Sequence, residues 1–156
     1  MTTTDAQPDL FASTTIAASP AQVWALVTDV RRMAEWSPQV RRTFVVGGPL
    51  RLGTRFVNIN QDGWKHWPTS AKVVRFSPHT DFAFRITENR TIWSFSLAPT
   101  EDGGTEVTQR RETPDGIAPI SGALVRVALG GQQKFRADLV AGMQETLARM
   151  KAELEH

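Results

Sequence analysis

The chain contains no cysteine and no tyrosine, and its three histidines include the terminal residue. Without cysteine there are no disulfides, no thiolate nucleophile and no zinc–cysteine centre, a composition that fits a cytoplasmic protein. With His66 and His79 as the only other histidines, no metal site is expected, and no cofactor is implied. The lack of tyrosine and the scarcity of lysine also explain the charge. Almost nothing titrates between about pH 8 and 10, so a net charge of only +2 suffices for a pI of 9.5. The pairs Arg31-Arg32, Arg41-Arg42 and Arg110-Arg111 are scattered among acids and lack interleaved aromatics, so no nucleic-acid partner is expected. No apolar run reaches roughly 18 residues, so stable membrane insertion is not expected. There is no GxSxG nucleophile motif. The glycine pairs at 47–48, 103–104 and 130–131 lack the strand–loop–helix context of a phosphate loop.

What is present suits one domain over 10–153, with 40% hydrophobic and 22% charged residues. The opening MTTTDAQPD is neither basic nor apolar and reads as a disordered polar tail over 1–9 rather than a signal peptide. Leu154-Glu155-His156 resembles a cloning scar before a truncated histidine tag. The stretch Leu10–Ala17 has the Thr/Ile content of a strand. Ser19-Pro20 then supplies a helix cap and a first-turn proline, and Gln22 completes a capping box. Asp29 is expected to cap a second short helix over Val30–Trp36, ended by Ser37-Pro38. From residue 43 the period becomes two. Thr43–Val46, Thr54–Asn60, Trp67–Phe76, Asp81–Glu88, Thr91–Ala98 and Thr105–Glu112 read as strands of an antiparallel meander.

The C-terminal part is helical. Phe135, Leu139, Met143, Leu147 and Met150 form an apolar stripe. Ile120–Leu129 is a further helical segment, and Gly130-Gly131 is expected to break or kink the helix, since each glycine costs about 1 kcal/mol against alanine. That segment reads as a cover over a cavity mouth, hinged at the glycines. The economical architecture is α+β: about seven strands in a curved antiparallel sheet wrapped around a long C-terminal helix, with two short helices after the first strand.

The string IAASPAQVWALVTDVRRMAEWSPQV, followed by GTRF and GGTEVTQRRE, resembles the START-like helix-grip superfamily, nearest its polyketide cyclase/dehydrase (SRPBCC) branch. The order of elements matches from about Leu10 to Lys151. The resemblance implies a helix-grip fold holding a hydrophobic small molecule between sheet and helix. It leaves two activities open: shelter of such a ligand, or cyclase/dehydratase chemistry on a carbonyl compound. It names no protein partner and fixes no oligomeric state.

Several side chains are candidates for lining such a cavity. Phe84, Trp93 and Phe95 alternate onto the apolar face of neighbouring strands, and Phe135, Leu139 and Met143 face them from the helix. Trp24 reads as core, whereas Trp36 reads equally as core or wall. Asn58 and Asn60 share parity with Phe56, but the opposite register, with Val57 and Ile59 inward, carries the stronger apolar signal. Gln109 and Arg111 share parity with Val107. An inward Arg111 could hold a carboxylate, phenolate or enolate, although a strand end that has left the sheet would put both in water. Arg111 and His66, the latter flanked by Trp64 and Trp67, are the candidates for catalysis.

Overall fold

The computed structural model describes residues 9–114 and 129–155, the side chains of 129–133 and 135 excepted. Ser19 starts helix α1 (Pro20–Val27) with both halves of the capping box in place. Its Oγ accepts from the Gln22 amide at 3.2 Å, and its own amide donates to Gln22 Oε1 at 2.8 Å. The helix buries Val23, Trp24, Leu26 and Val27 on one side. The expected second helix divides into a 3-10 turn (Val30–Arg32) and a single α-helical turn, α2 (Met33–Trp36). Asp29 does not cap it: its side chain makes no cap hydrogen bond, and the Arg32 amide instead bonds the Asp29 carbonyl at 3.0 Å. That tight i-to-i+3 closure starts the segment as a 3-10 turn.

Seven strands follow the expected alternation. They are β1 (Leu10–Ile16), β2 (Val40–Val46), β3 (Arg55–Asp62), β4 (Lys65–Ser77), β5 (Asp81–Ile86), β6 (Ile92–Pro99) and β7 (Thr105–Glu112). They form one antiparallel sheet in the order β1-β7-β6-β5-β4-β3-β2. The β3–β4 hairpin is longer than the sequence pattern suggests. Pairing continues to Asp62–Lys65, because Gly63 enters the two-residue turn at φ +64°. Gly104 is required for a different reason. A Cβ there would lie 2.8 Å from the Ile16 carbonyl oxygen, where β1 closes onto β7.

The last helix, α3 (Leu129–Glu155), covers the inner face of the sheet. Gly130 and Gly131 are themselves helical, contrary to the expected break. Their cost is small beside the packing of a 27-residue helix whose Met143, Leu147 and Met150 are fully buried. Ile120–Ala128, and with it the expected cover, lies outside the described residues. The C-terminal half of α3 is fastened. Arg32 Nη2 meets both Glu153 oxygens at 2.7 Å, Lys151 Nζ donates to the Thr15 carbonyl at 2.7 Å, and the Ala17 amide donates to Glu155 Oε2 at 2.7 Å. Leu154 packs on the core. Among the described residues no helix is long and apolar enough to cross a membrane.

The core lies between sheet and helix. Phe56 and Phe82 are completely buried, each worth about 2 kcal/mol of apolar transfer. Ring contacts, edge-on except for the tilted Phe82–Phe84 pair, link Trp24, Phe76, Phe82, Phe84 and Phe56. On the outer face, Arg75 bonds Asp81 at 2.7 Å and Glu112 at 2.8 Å, while Ser94 Oγ donates to Glu112 at 3.0 Å. Register places Ala83 and Ser94 on the strands between Arg75 and β7, and these small residues leave room for the guanidinium to pass.

The Arg75 hydrogen bond, followed by Ser94, holds the Glu112 carboxyl below its ordinary range against the opposing effect of burial. A depressed folded-state value means that Glu112 stabilises the fold above about pH 4.3 and loses that contribution as pH falls through the folded value. Urea unfolding should therefore show Glu112→Gln less stable than the native chain at pH 7, with the gap closing toward pH 2. A gap independent of pH would contradict the assignment.

Candidate ligand site

Strand parity brings together two rows on the inner face. In one, Gln109 pairs with Phe95, which pairs with Phe82; in the next, Arg111 pairs with Trp93, which pairs with Phe84. Leu10 and Ala12 of β1 complete the rows beside Arg111 and Gln109. Phe84 and Phe95 are buried and Trp93 half-buried. From α3, Met143 is buried and Leu139 half-buried against the same core, while the Phe135 side chain lies outside the described residues.

Gln109 and Arg111 do not leave the sheet for water, as the strand-end reading favoured. Both remain in the ladder with Val107, and β1 covers their other flank. The consequences differ. Gln109 is 7% exposed, and its Oε1 has no hydrogen-bond partner among the described residues. Leaving a buried acceptor unmade costs about 1–3 kcal/mol. Arg111 is half-buried; burial pulls its guanidinium below the ordinary value, and the charge of Arg136 on α3 acts in the same direction. Arg136 on α3 is thus near enough to Arg111 for its charge to be felt there.

Asn58 also points inward, against the register with Val57 and Ile59 inside. The Phe56 ring packs 5.1 Å from Phe84, and inward Phe56 carries Asn58 with it. Unlike Gln109, Asn58 is already engaged: Thr43 Oγ1 donates to its Oδ1 at 2.6 Å, and its Nδ2 approaches Met33 Sδ at 3.7 Å. Asn60 donates to the Trp67 carbonyl and to Thr69 Oγ1. Trp36 is buried in the core cluster with the Arg32 guanidinium 5.6 Å from its ring centroid. His66 is exposed on the outer face of β4, opposite Gln61, and is not brought together with Arg111.

Arg136 is the site residue that sequence reasoning missed. It lies seven residues before Met143, two helical turns away on the same side, so the periodicity held the signal. A charged residue was passed over because the stripe was read from apolar side chains. Chemically, the arrangement offers a neutral acceptor and a cation two residues apart on one strand face, about 7 Å, beside an aromatic wall. It suits a flat molecule carrying a hydrogen-bond donor and an anionic oxygen.

The family described as polyketide cyclase / dehydrase and lipid transport matches residues 7–155. No curated protein matches the chain. The Polyketide_cyc-like protein Cgl2372 from Corynebacterium glutamicum is 28% identical, with a TM-score of 0.65 over 94% of this chain and 91% of that one. The fold is shared by the protein TTHA0849 from Thermus thermophilus at 20% identity and TM-score 0.62, over 94% and 99% of the two chains. The di-domain ARO/CYC StfQ of the steffimycin biosynthetic pathway shares it too, at 16% identity and TM-score 0.75. There 97% of this chain covers 51% of the larger one.

The unmet acceptor predicts an unusual sign for one substitution. Gln109→Leu should raise the stability of the ligand-free protein by about 1 kcal/mol, because it removes a desolvated polar group and keeps the volume. Chemical denaturation measures this; a loss of more than about 1 kcal/mol would show that the amide is structural.

Proposed function

Because the chain belongs to the polyketide cyclase / dehydrase and lipid transport family, we propose that it binds a flat hydrophobic small molecule between the sheet and α3. That molecule bears a hydroxyl for Gln109 and an acidic or enolic oxygen for Arg111. The observation that carries this reading is the buried Gln109 Oε1 without a partner among the described residues. A protein that used this face only for packing would gain by replacing the amide with an apolar group, as Asn58 avoids by pairing with Thr43. Phe84, Trp93 and Phe95 supply the stacking wall, and Met143 and Leu139 the opposite side. Trp36 lies in the same buried cluster.

A second reading, cyclase or dehydratase chemistry on a carbonyl compound, is favoured by Arg111 itself. A guanidinium in a partly dry site stabilises an enolate as charge develops on oxygen. Such chemistry also needs a group to move protons. Among the described strand residues, no aspartate, glutamate or histidine occupies a buried inward position. Binding is therefore the better-supported reading.

Three probes test it by tryptophan fluorescence titration: 6-hydroxy-2-naphthoate, 2-naphthoate and 2-naphthol. The first should bind most tightly, and loss of either oxygen group should weaken binding about tenfold, or about 1.4 kcal/mol. Arg111→Ala should abolish the advantage of the carboxylate and Gln109→Leu that of the hydroxyl. Equal affinities across the probes and variants would remove the proposed recognition.

A further inference from the structure

The outer face of the sheet has two unlike halves. Over β5–β7 a polar network crosses it, in which Arg75 bonds Asp81 and Glu112, and Ser94 bonds Glu112. Over β2–β4 the pattern is different. Register aligns Arg42, Ile59 and Pro68 in one outward row, Phe44, Val57 and Ser70 in the next, and Val46, Arg55 and Lys72 in a third. Phe44 is 50% exposed and Val46 64%, and Arg42, Arg55 and Lys72 are all exposed. Beyond these rows projects the β3–β4 turn, where Trp64 is 84% exposed with Lys65 Nζ 5.9 Å from its ring. Among the described residues none of Arg42, Arg55, Lys65 and Lys72 forms an ion pair. The bordering acids are Asp62, across the turn from Lys65, and Glu88, which accepts from the Ser70 amide.

We propose that the outer face of β2–β4, led by Trp64, docks on an anionic lipid bilayer surface. Exposed apolar side chains beside cations that form no ion pair among the described residues complement a layer of anionic headgroups over hydrocarbon, and tryptophan with an adjacent lysine suits that boundary. Other occupants fit less well. A second copy would set the same cations against themselves. An added strand would have to pair along β2, whose ladder shifts register between Val40 and Arg42 and whose start carries two arginines, features that protect an edge. In an antiparallel meander alternate turns fall at one end, so the β3–β4 turn shares its end with the β5–β6 turn and with Arg111 near the end of β7. Docking there brings that end of the molecule to the bilayer. The proposal does not depend on which small molecule the inner face takes.

Sedimentation of the whole protein with vesicles tests it. Vesicles of mixed phosphatidylglycerol and phosphatidylcholine should retain the protein at least about tenfold better than phosphatidylcholine alone, with binding falling as salt rises. Trp64→Ser should weaken retention several-fold. The combined variant Arg42→Glu, Arg55→Glu, Lys72→Glu should abolish it. All four positions are exposed, and an unchanged thermal transition checks that each variant is folded. Brominated acyl chains should quench native fluorescence and fail to quench Trp64→Phe to the same extent. No retention on anionic vesicles, or equal retention of native protein and variants, overturns the proposal. So does binding to polyglutamate or duplex DNA without binding to vesicles, which would assign the face to an acidic macromolecule.

Discussion

Seven hydrogen-bonded strands force every second residue onto one face, and α3 covers only that face. The rest of the structure follows from this single constraint. Phe56, Phe82, Phe84, Phe95, Leu97 and Val107 must be inside for the core to exist, and all of them are buried. Parity then leaves no choice for their neighbours. Asn58 follows Phe56 inside, while Gln109 and Arg111 follow Val107. The polar groups of the inner face are carried there by the same register that builds the core.

What distinguishes these groups is how each is compensated. Asn58 has Thr43 within 2.6 Å, so its burial is balanced by a hydrogen bond inside the fold. Gln109 Oε1 has no such bond among the described residues. Arg111 shares its surroundings with a second arginine, which adds to the effect of burial on its charge. On the inner face, the Gln109 acceptor beside an aromatic wall is what separates a binding site from an ordinary core; Asp81 Oδ1, the other buried acceptor without a partner among the described residues, lies on the outer face. At the opposite end of α3, Arg32, Lys151 and Glu155 tie the helix to α2 and to the end of β1. The helix is anchored there, and Arg136 in its N-terminal half brings a second positive charge near Arg111.

Much of the fold was legible because its signals are local. The Ser19–Gln22 capping box and the period-two strands were each readable from a few adjacent residues and occur as read. The site was less legible, because alternation gives the period of a strand and not its phase. Val57 and Ile59 look more apolar than Asn58 and Asn60. The decision rested on Phe56 meeting Phe84, a contact across two strands that no local pattern contains. Arg136 was missed for a related reason: its relevance comes from β7, far away in sequence. Asp29 and Gly130-Gly131 show the converse error, where local preference was outweighed by a 3-10 closure and by the packing of a long helix.

The account turns on whether the Gln109 acceptor receives a hydrogen bond from a ligand that the fold does not itself supply. The side-chain carbonyl carbon of Gln109, observed by NMR as 6-hydroxy-2-naphthoate is added, reports on it directly. The account predicts a downfield shift of that resonance on binding, while the Asn58 side-chain carbonyl, already bonded to Thr43, stays in place. A ligand that binds and leaves the Gln109 resonance unmoved would contradict it.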